Sequence, residues 1–298
     1  MPLPLFATPI LSLIERQLQT AIPEPVGPHG SLFEAARYTL LAPSKRLRPL
    51  FLLTLLQDFE IPFELGLDPA VALECVHSYS LIHDDLPCMD NDDFRRGKPA
   101  LHKVYDPAQA LLVGDYLLTR AFEILSQTAS LDPFLRLALT EVLAKKAGSE
   151  GMIGGQVIDL IAETTPLSPK DLEQMHRWKT GSLFAAACTM AAIIAKLEKT
   201  ERETINQCGE LFGIAFQIAD DLDDRADDAK IMKKNGQTHQ KSTFTSYYGL
   251  KQTIELKNRF FARTFEMLDS LACPTPRFHQ LIVSLQSSAK FSHLLPEA

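Results

Sequence analysis

Two acidic stretches have spacing that could hold a metal ion. The first is Asp84-Asp85-Leu-Pro-Cys-Met-Asp90 and the second is Asp220-Asp221-Leu-Asp-Asp224. In the second, Gln217, Asp220, Asp221 and Asp224 have offsets of 0, 3, 4 and 7, which puts all four on one face of a helix. Carboxylates ~4 Å apart at an effective dielectric of ~20 repel by roughly 4 kcal/mol. A cation, a shared proton or full solvation relieves that repulsion. Most acidic runs are simply solvated helix ends. This stripe instead begins at Gln217, inside an apolar stretch that starts at Leu211. A bound cation therefore explains it better.

The first motif has a different construction. His77 and Asp84 are seven apart and share a helix face, with Ser80 between them. Pro87 then ends or kinks the helix, so Asp90 must reach back from a loop. Asp92 and Asp93 add charge, and Arg95-Arg96 follow at once. A calcium loop starting at Asp90 fails, because position six is Arg95 rather than Gly and position twelve is Leu101 rather than Glu. All-carboxylate ligands suit a hard cation such as magnesium, not zinc or copper.

Cations near the acids point to a phosphate as well. Lys45-Arg46-Leu-Arg48-Pro49, Arg95-Arg96, Lys179 and Lys233-Lys234 are each expected to flank a helix end. Arginine forks and lysine point charges suit phosphate oxygens. Carboxylates, magnesium and a diphosphate form an electrically coherent set.

The elements that position these residues read as helices. Ser31 with Glu34 three residues on has the pattern of a capping box. Asp68-Pro69 predicts a helix start that leads to the first acidic cluster, and Asp106-Pro107 predicts a helix over 108–125. Ser168-Pro169 predicts another, with Asp171 and Glu173 in its first turn. Lys196–Arg202 reads as a charged break, and Asp269–Arg277, with two prolines, as a loop. The polar stretch Asp223–Ser246 reads as a flap or as an ordinary surface loop. Alternating strand patterns are scarce. The expectation is one all-α domain over residues 1–298, a single-domain helical bundle.

Composition narrows the function. Hydrophobic residues make up 46% of 298, ample for a large core. Net charge is -7 with no basic block, which sets nucleic-acid binding aside. Five cysteines, an odd number with no CxxC pair, fit neither a disulfide framework nor a zinc site and suit a reducing, cytoplasmic location. Met1–Leu13 is apolar but has no leading basic residue and is broken by prolines, so no signal peptide is expected. The longest apolar run, Leu183–Ala195, has 13 residues where a membrane span needs about 20, so a buried helix is expected.

At this point the residues resemble a known family. The run from His77 through Asp84-Asp85-Leu-Pro-Cys-Met-Asp90 to Arg95-Arg-Gly-Lys-Pro99 resembles the first Asp-rich region of trans-isoprenyl diphosphate synthases of the bacterial farnesyl diphosphate synthase type. Phe216-Gln-Ile-Ala-Asp-Asp-Leu-Asp-Asp224 resembles the second, and Lys45-Arg-Leu-Arg-Pro49 the basic amino-terminal motif. Gly114-Asp115, Gly154-Gly-Gln156-Val-Ile-Asp159 and Lys179-Thr180-Gly181 follow in the family's order. The resemblance spans about Phe33 to Leu250 and implies an all-helical fold around one central cavity, usually as a homodimer. It implies head-to-tail condensation of isopentenyl diphosphate with an allylic diphosphate.

Carried over residue by residue, Asp84, Asp85, Asp90, Asp220, Asp221 and Asp224 face three magnesium ions, with Mn2+ as a substitute. Arg95, Lys179 and Lys234 hold the allylic diphosphate, with Gln217 and Thr180 nearby. Lys45, Arg48, His77 and Arg96 hold isopentenyl diphosphate. The direct contributors to ionisation are Asp84, Asp85, Asp220 and Lys179. Tyr79, five residues before Asp84, resembles the cavity floor of fifteen-carbon enzymes. The chain departs from the pattern where Pro43-Ser44 replace Gly-Gly. It departs again in the flap, where Lys233 and Lys234 compete for one role. Rival readings are a twenty-carbon synthase, a terpene cyclase-like enzyme, a non-catalytic synthase subunit and a structural helical protein. The basic set at Lys45, Arg48, His77 and Arg96 argues against a cyclase, which has no second diphosphate to hold.

Overall fold

The computed structural model describes residues 3–235 and 243–288; the side chains of 224–235 and 287–288 fall outside the described set. The chain forms two compact units. One comprises residues 6–141 and 193–195, the other 1–5, 142–192 and 196–298. The helices in chain order are α1 (Ala7–Ala21), α2 (Gly30–Leu40), α3 (Leu47–Asp58), α4 (Leu67–Asp84), α5 (Leu101–Val104) and α6 (Pro107–Gln127). There follow α7 (Pro133–Ala147), α8 (Met152–Ala162), α9 (Pro169–His176), α10 (Ser182–Ile194), α11 (Lys199–Asn235), α12 (Phe244–Asp269) and α13 (Pro276–Ser288). The described residues are all-α apart from a ribbon of β1 (Phe94–Arg95) against β2 (Lys98–Pro99).

In the first unit α4 is the central helix. It is apolar nearly all round, and residues 69–76 are buried without interruption, as a helix enclosed by its neighbours must be. It packs against α6, where Gly114 permits the approach: a Cβ there would stand 2.1 Å from Nε2 of His83.

In the second unit α10 is the expected buried helix, with Leu183 to Cys188 and Met190 to Ala192 at the core. The long helix α11 packs on the segment Arg177–Gly181, and glycines again set the distance. A Cβ on Gly213 would lie 2.3 Å from the Cα of Gly181, and one on Gly209 would lie 2.5 Å from the Cα of Ala185.

Two expected helix starts hold: Asp106 accepts from the Gln109 N–H at the head of α6, and Ser168 accepts from the Asp171 N–H at the head of α9. Two are displaced. α2 begins at Gly30 with His29 as its N-cap, so Ser31 lies inside the helix rather than at its cap. α4 begins at Leu67 after Gly66, and Asp68 accepts from Nε2 of Gln17 on α1. The charged break after α10 is shorter than expected, since α11 begins at Lys199. The stretch 223–246 is not a continuous loop, since the α11 backbone runs on to Asn235. Arg95 and Arg96 lie on the ribbon rather than at a helix end.

Candidate functional site

The first acidic motif is shaped by the end of α4. Asp84 is its last residue, and Pro87 lies in the turn beyond it. The chain folds back at once: the Asp90 N–H donates to the Asp84 carbonyl at 2.9 Å and the Asn91 N–H to the Leu86 carbonyl at 3.1 Å. Asp90 thus returns to the helix end from a turn, as its spacing requires.

The ribbon then divides two adjacent arginines between two tasks. Arg96 and Gly97 both have positive φ (55° and 76°), the pattern of a tight two-residue hairpin. Arg95 donates from Nε to Oδ1 of Asp85 at 2.8 Å and from a terminal nitrogen to Oδ2 of Asp92 at 2.9 Å. Asp85 is 3% exposed. Burial pushes its carboxyl up, and Arg95 offsets part of that rise.

Arg96 turns the other way, with a terminal nitrogen 3.2 Å from Nε2 of His77. Burial holds the His77 pKa well below its usual range, and the charges of Arg48, Arg96, Arg46 and Arg95 lower it further. His77 is therefore neutral at neutral pH, with four guanidinium charges acting on it. Lys45 is exposed and Arg48 half-buried in the same unit. Such a concentration of cations attracts an anion.

The second unit builds its part on a widened turn. Arg177–Gly181 is a single π-helical turn between α9 and α10, a local insertion often found at functional sites. It carries Lys179 and Thr180. The Lys179 ammonium lies 2.6 Å from Oδ2 of the buried Asp159 on α8. Thr180 donates to Oε1 of Gln217 at 2.9 Å, and Gln217 donates from Nε2 to Oδ1 of Asp221 at 3.0 Å. His176 places Nε2 3.7 Å from the other oxygen of Asp221, and its ring packs against Phe244 at the start of α12. Arg177 anchors the turn on Glu173 and Glu210, and Glu210 also takes Lys146 at 2.9 Å. Burial works against the charge on Glu210, but Lys146 and Arg177 outweigh it and hold its carboxyl below the usual range.

Thus Asp84, Asp85, Asp90, Arg95, Arg96, His77, Arg48 and Lys45 share one unit, and Lys179, Thr180, Gln217, Asp220 and Asp221 share the other. The side chains of Asp224 and Lys234 lie outside the described residues, as does that of Lys233. Sequence reasoning assigned no role to Asp159, His176 or Glu210. Asp159 carried a readable signal, since a lone acid in an apolar helix calls for a cation. His176 carried none, because the π turn breaks the periodicity that relates it to Lys179.

Gly155 shows how tightly the turn is held. A Cβ there would stand 2.1 Å from the Lys179 backbone nitrogen. Gly155→Ala is expected to cost about 1–3 kcal/mol in a denaturant titration, the usual range for overpacking. It should also move Lys179 and so weaken the diphosphate binding that the resemblance implies for that residue. A variant with wild-type stability and binding would show that the turn yields freely.

The donor set suits magnesium. Its members are carboxylates with amide and hydroxyl support and no thiolate. Among the described residues no three His, Cys, Asp or Glu side chains form a ready-made cage. Magnesium usually keeps several waters and takes one or two carboxylates together with substrate phosphates, so a diphosphate would complete the coordination.

Comparison with known proteins identifies the family. The profile of the polyprenyl synthetase family matches residues 29–267. Farnesyl diphosphate synthase from Micrococcus luteus is 42% identical over 243 residues, covering 80% of this chain and 83% of that one. An FPP/GFPP synthase from Zymomonas mobilis superposes with a TM-score of 0.86 at 36% identity, covering 94% of this chain and 97% of that one. A geranyltransferase from Helicobacter pylori, solved complexed with magnesium and isoprenyl diphosphate, superposes with a TM-score of 0.81 at 30% identity, over 95% of each chain. This chain belongs to the polyprenyl synthetase family.

Proposed function

We propose that this chain is a short-chain trans-prenyltransferase. It joins isopentenyl diphosphate head-to-tail to dimethylallyl or geranyl diphosphate and releases farnesyl diphosphate. The observation that carries this reading is the pairing within one unit of two distinct anion-directed sets. Arg95 sits with Asp85 and Asp92, while Arg96 sits with a neutral His77 amid further arginines. One set suits a diphosphate held with magnesium, the other a diphosphate held by cations alone. Two substrates need both sets.

Asp84, Asp85, Asp90, Asp220, Asp221 and Asp224 would hold magnesium, three ions in all with Mn2+ as a substitute, and the metal supplies positive charge that stabilises the departing diphosphate. Gln217 and His176 orient Asp221, and Thr180 orients Gln217. Lys179, Arg95 and Lys234 bind the allylic diphosphate, Lys179 by turning from Asp159 to a phosphate oxygen and Arg95 by turning from Asp85. Lys45, Arg48, His77 and Arg96 hold isopentenyl diphosphate so that its double bond meets the allylic cation. The proton lost afterwards goes to the diphosphate leaving group. Residues 1–298 act as one synthase domain, a reading supported over residues 29–267 by the family match.

The chain works as a homodimer in the cytoplasm. Leu111 and Leu112 on α6, and Phe134 and Leu137 on α7, are exposed apolar side chains that a second copy could cover. None of the five cysteines, all of them described residues, is joined in a disulfide, which suits a reducing compartment. No described helix is long and apolar enough to cross a membrane.

The test is a product assay with dimethylallyl or geranyl diphosphate, labelled isopentenyl diphosphate, and magnesium present or withheld. Condensation with neither primer would sink the proposal. The second reading, a twenty-carbon product, is disfavoured by Tyr79. Its ring is 5% exposed and packs edge-on against His83 at 5.6 Å. Burial and the nearby Asp84 push its hydroxyl up to about 12, so it stays neutral and bulky at any working pH. Tyr79→Ala is expected to shift the product from fifteen to twenty carbons, read by chromatography of the dephosphorylated alcohols. An unchanged product distribution would place the cavity floor elsewhere.

A further inference from the structure

Beside the basic cluster of the first unit lies a buried ion set that the reaction itself does not call for. Arg46 is the N-cap residue of α3 and adopts a left-handed backbone, φ 46° and ψ 40°, which is unfavourable for a residue with a large side chain. Its side chain is fully buried. Nε donates to Oε1 of Glu15 on α1 at 2.8 Å, and one terminal nitrogen donates to Oε1 of Glu74 on α4 at 2.8 Å. The other terminal nitrogen donates to the Ala42 carbonyl at 3.0 Å and to Oε2 of Glu15 at 3.3 Å. Ser44 adds weaker ties: its hydroxyl donates to Glu74 and accepts from the Arg46 N–H, both at 3.4 Å.

We propose that Arg46, clamped by Glu15 and Glu74, is the positioning residue of the isopentenyl diphosphate site. The inference rests on the reading that Lys45, Arg48, His77 and Arg96 form that site. Lys45 and Arg48 flank Arg46 in sequence, and the left-handed turn decides where each points. Lys45 is exposed, Arg46 faces inward and Arg48 enters the first turn of α3. No side-chain cap fixes the start of that helix, so the guanidinium clamp takes that task.

Electrostatics adds a second reason. Glu74 stands three residues before His77, on the same face of α4. The clamp combines one cation with two carboxylates and so carries net negative charge. The charge of Glu74 acts in favour of charged Arg96, against the effect of burial and of the other arginines. The clamp therefore holds mutually repelling cations in place before any anion arrives, and preorganisation of this kind improves binding. Ser44, which replaces a glycine of the resembling motif, fits into the clamp rather than disturbing it.

The test uses the full chain and separates the two substrates. Arg46→Lys keeps the charge but loses the fork. Glu15→Gln alters a side chain that is 42% exposed, so that variant is expected to fold. The readouts are KM for isopentenyl diphosphate, KM for geranyl diphosphate, and calorimetric binding of isopentenyl diphosphate with magnesium withheld. Arg46→Lys should weaken isopentenyl diphosphate about tenfold in KM and in binding, and Glu15→Gln about threefold, with KM for geranyl diphosphate changed by less than about twofold. Equal changes for both substrates, or none for either in both variants, would overturn the positioning role. Absence of condensation in the unaltered protein would instead overturn the synthase reading, while the calorimetric comparison would still decide whether Arg46 shapes an isopentenyl diphosphate site.

Discussion

Asp84→Asn is expected to lower kcat by about 10³, the scale of losing a main electrostatic contributor to ionisation. The substitution keeps the shape and removes only the charge. Its effect on stability should run the opposite way. Asp84 is the last residue of α4, and a negative charge at a helix C-terminus opposes the helix dipole. The charge of Arg95 acts on Asp84 in the other direction and offsets part of that cost. The free protein should therefore melt at the same temperature or slightly higher while activity collapses. Magnesium with inorganic pyrophosphate should raise Tm in the unaltered protein and much less in the variant. Activity within tenfold of wild type, or a clear loss of Tm, would show that Asp84 serves the fold rather than the reaction.

Lys179→Met should reduce kcat/KM for the allylic substrate by about 10², because one fixed cation on the leaving diphosphate is lost. KM for isopentenyl diphosphate should stay near wild type. The same change leaves Asp159 buried without the ammonium that lies 2.6 Å from it, so stability should fall, by about 2 kcal/mol. The double variant Lys179→Met/Asp159→Asn separates the two effects. Removing the buried carboxylate charge should restore stability but not catalysis, since the pair interacts in the free protein only. If the double variant regains activity, then Lys179 merely neutralises Asp159. Urea titration and steady-state kinetics on the same preparations decide between these outcomes.

These two residues also mark how far the amino-acid sequence could be read. Asp84 was legible as part of an acidic motif, and its helix was legible too, because Pro87 must end or kink it. The stripe from Gln217 to Asp221 was legible for the same kind of reason: helical periodicity is local. Asp106 and Ser168 were legible as caps because their sites follow from an adjacent proline and a nearby N–H. Ser31 failed as a cap although its local pattern was as good. α2 starts two residues earlier than a Ser31 cap requires, at Gly30, whose N–H donates to the Gly27 carbonyl. The polar stretch after Asp223 failed too, as helix persists to Asn235 despite poor apolar patterning.

The sequence by itself determined the helices, the two acidic faces and the kind of chemistry their charges allow. Each depends on residue type and on spacing within a few positions, and backbone hydrogen bonds in a helix reach only four residues. Tertiary structure alone decided the pairing of charges. Arg46, Arg48, Arg95 and Arg96 are chemically alike in sequence, yet Arg46 is sealed between Glu15 and Glu74, Arg95 takes Asp85, and Arg96 takes His77. Lys179 finds Asp159 across 20 residues, and Thr180 finds Gln217 across 37. A charge's partner and its burial are set by which helices pack together, and packing follows from close approaches such as Gly114 on His83, Gly155 on Lys179 and Gly213 on Gly181. Residue spacing cannot encode those distances, because they exist only once the chain has folded.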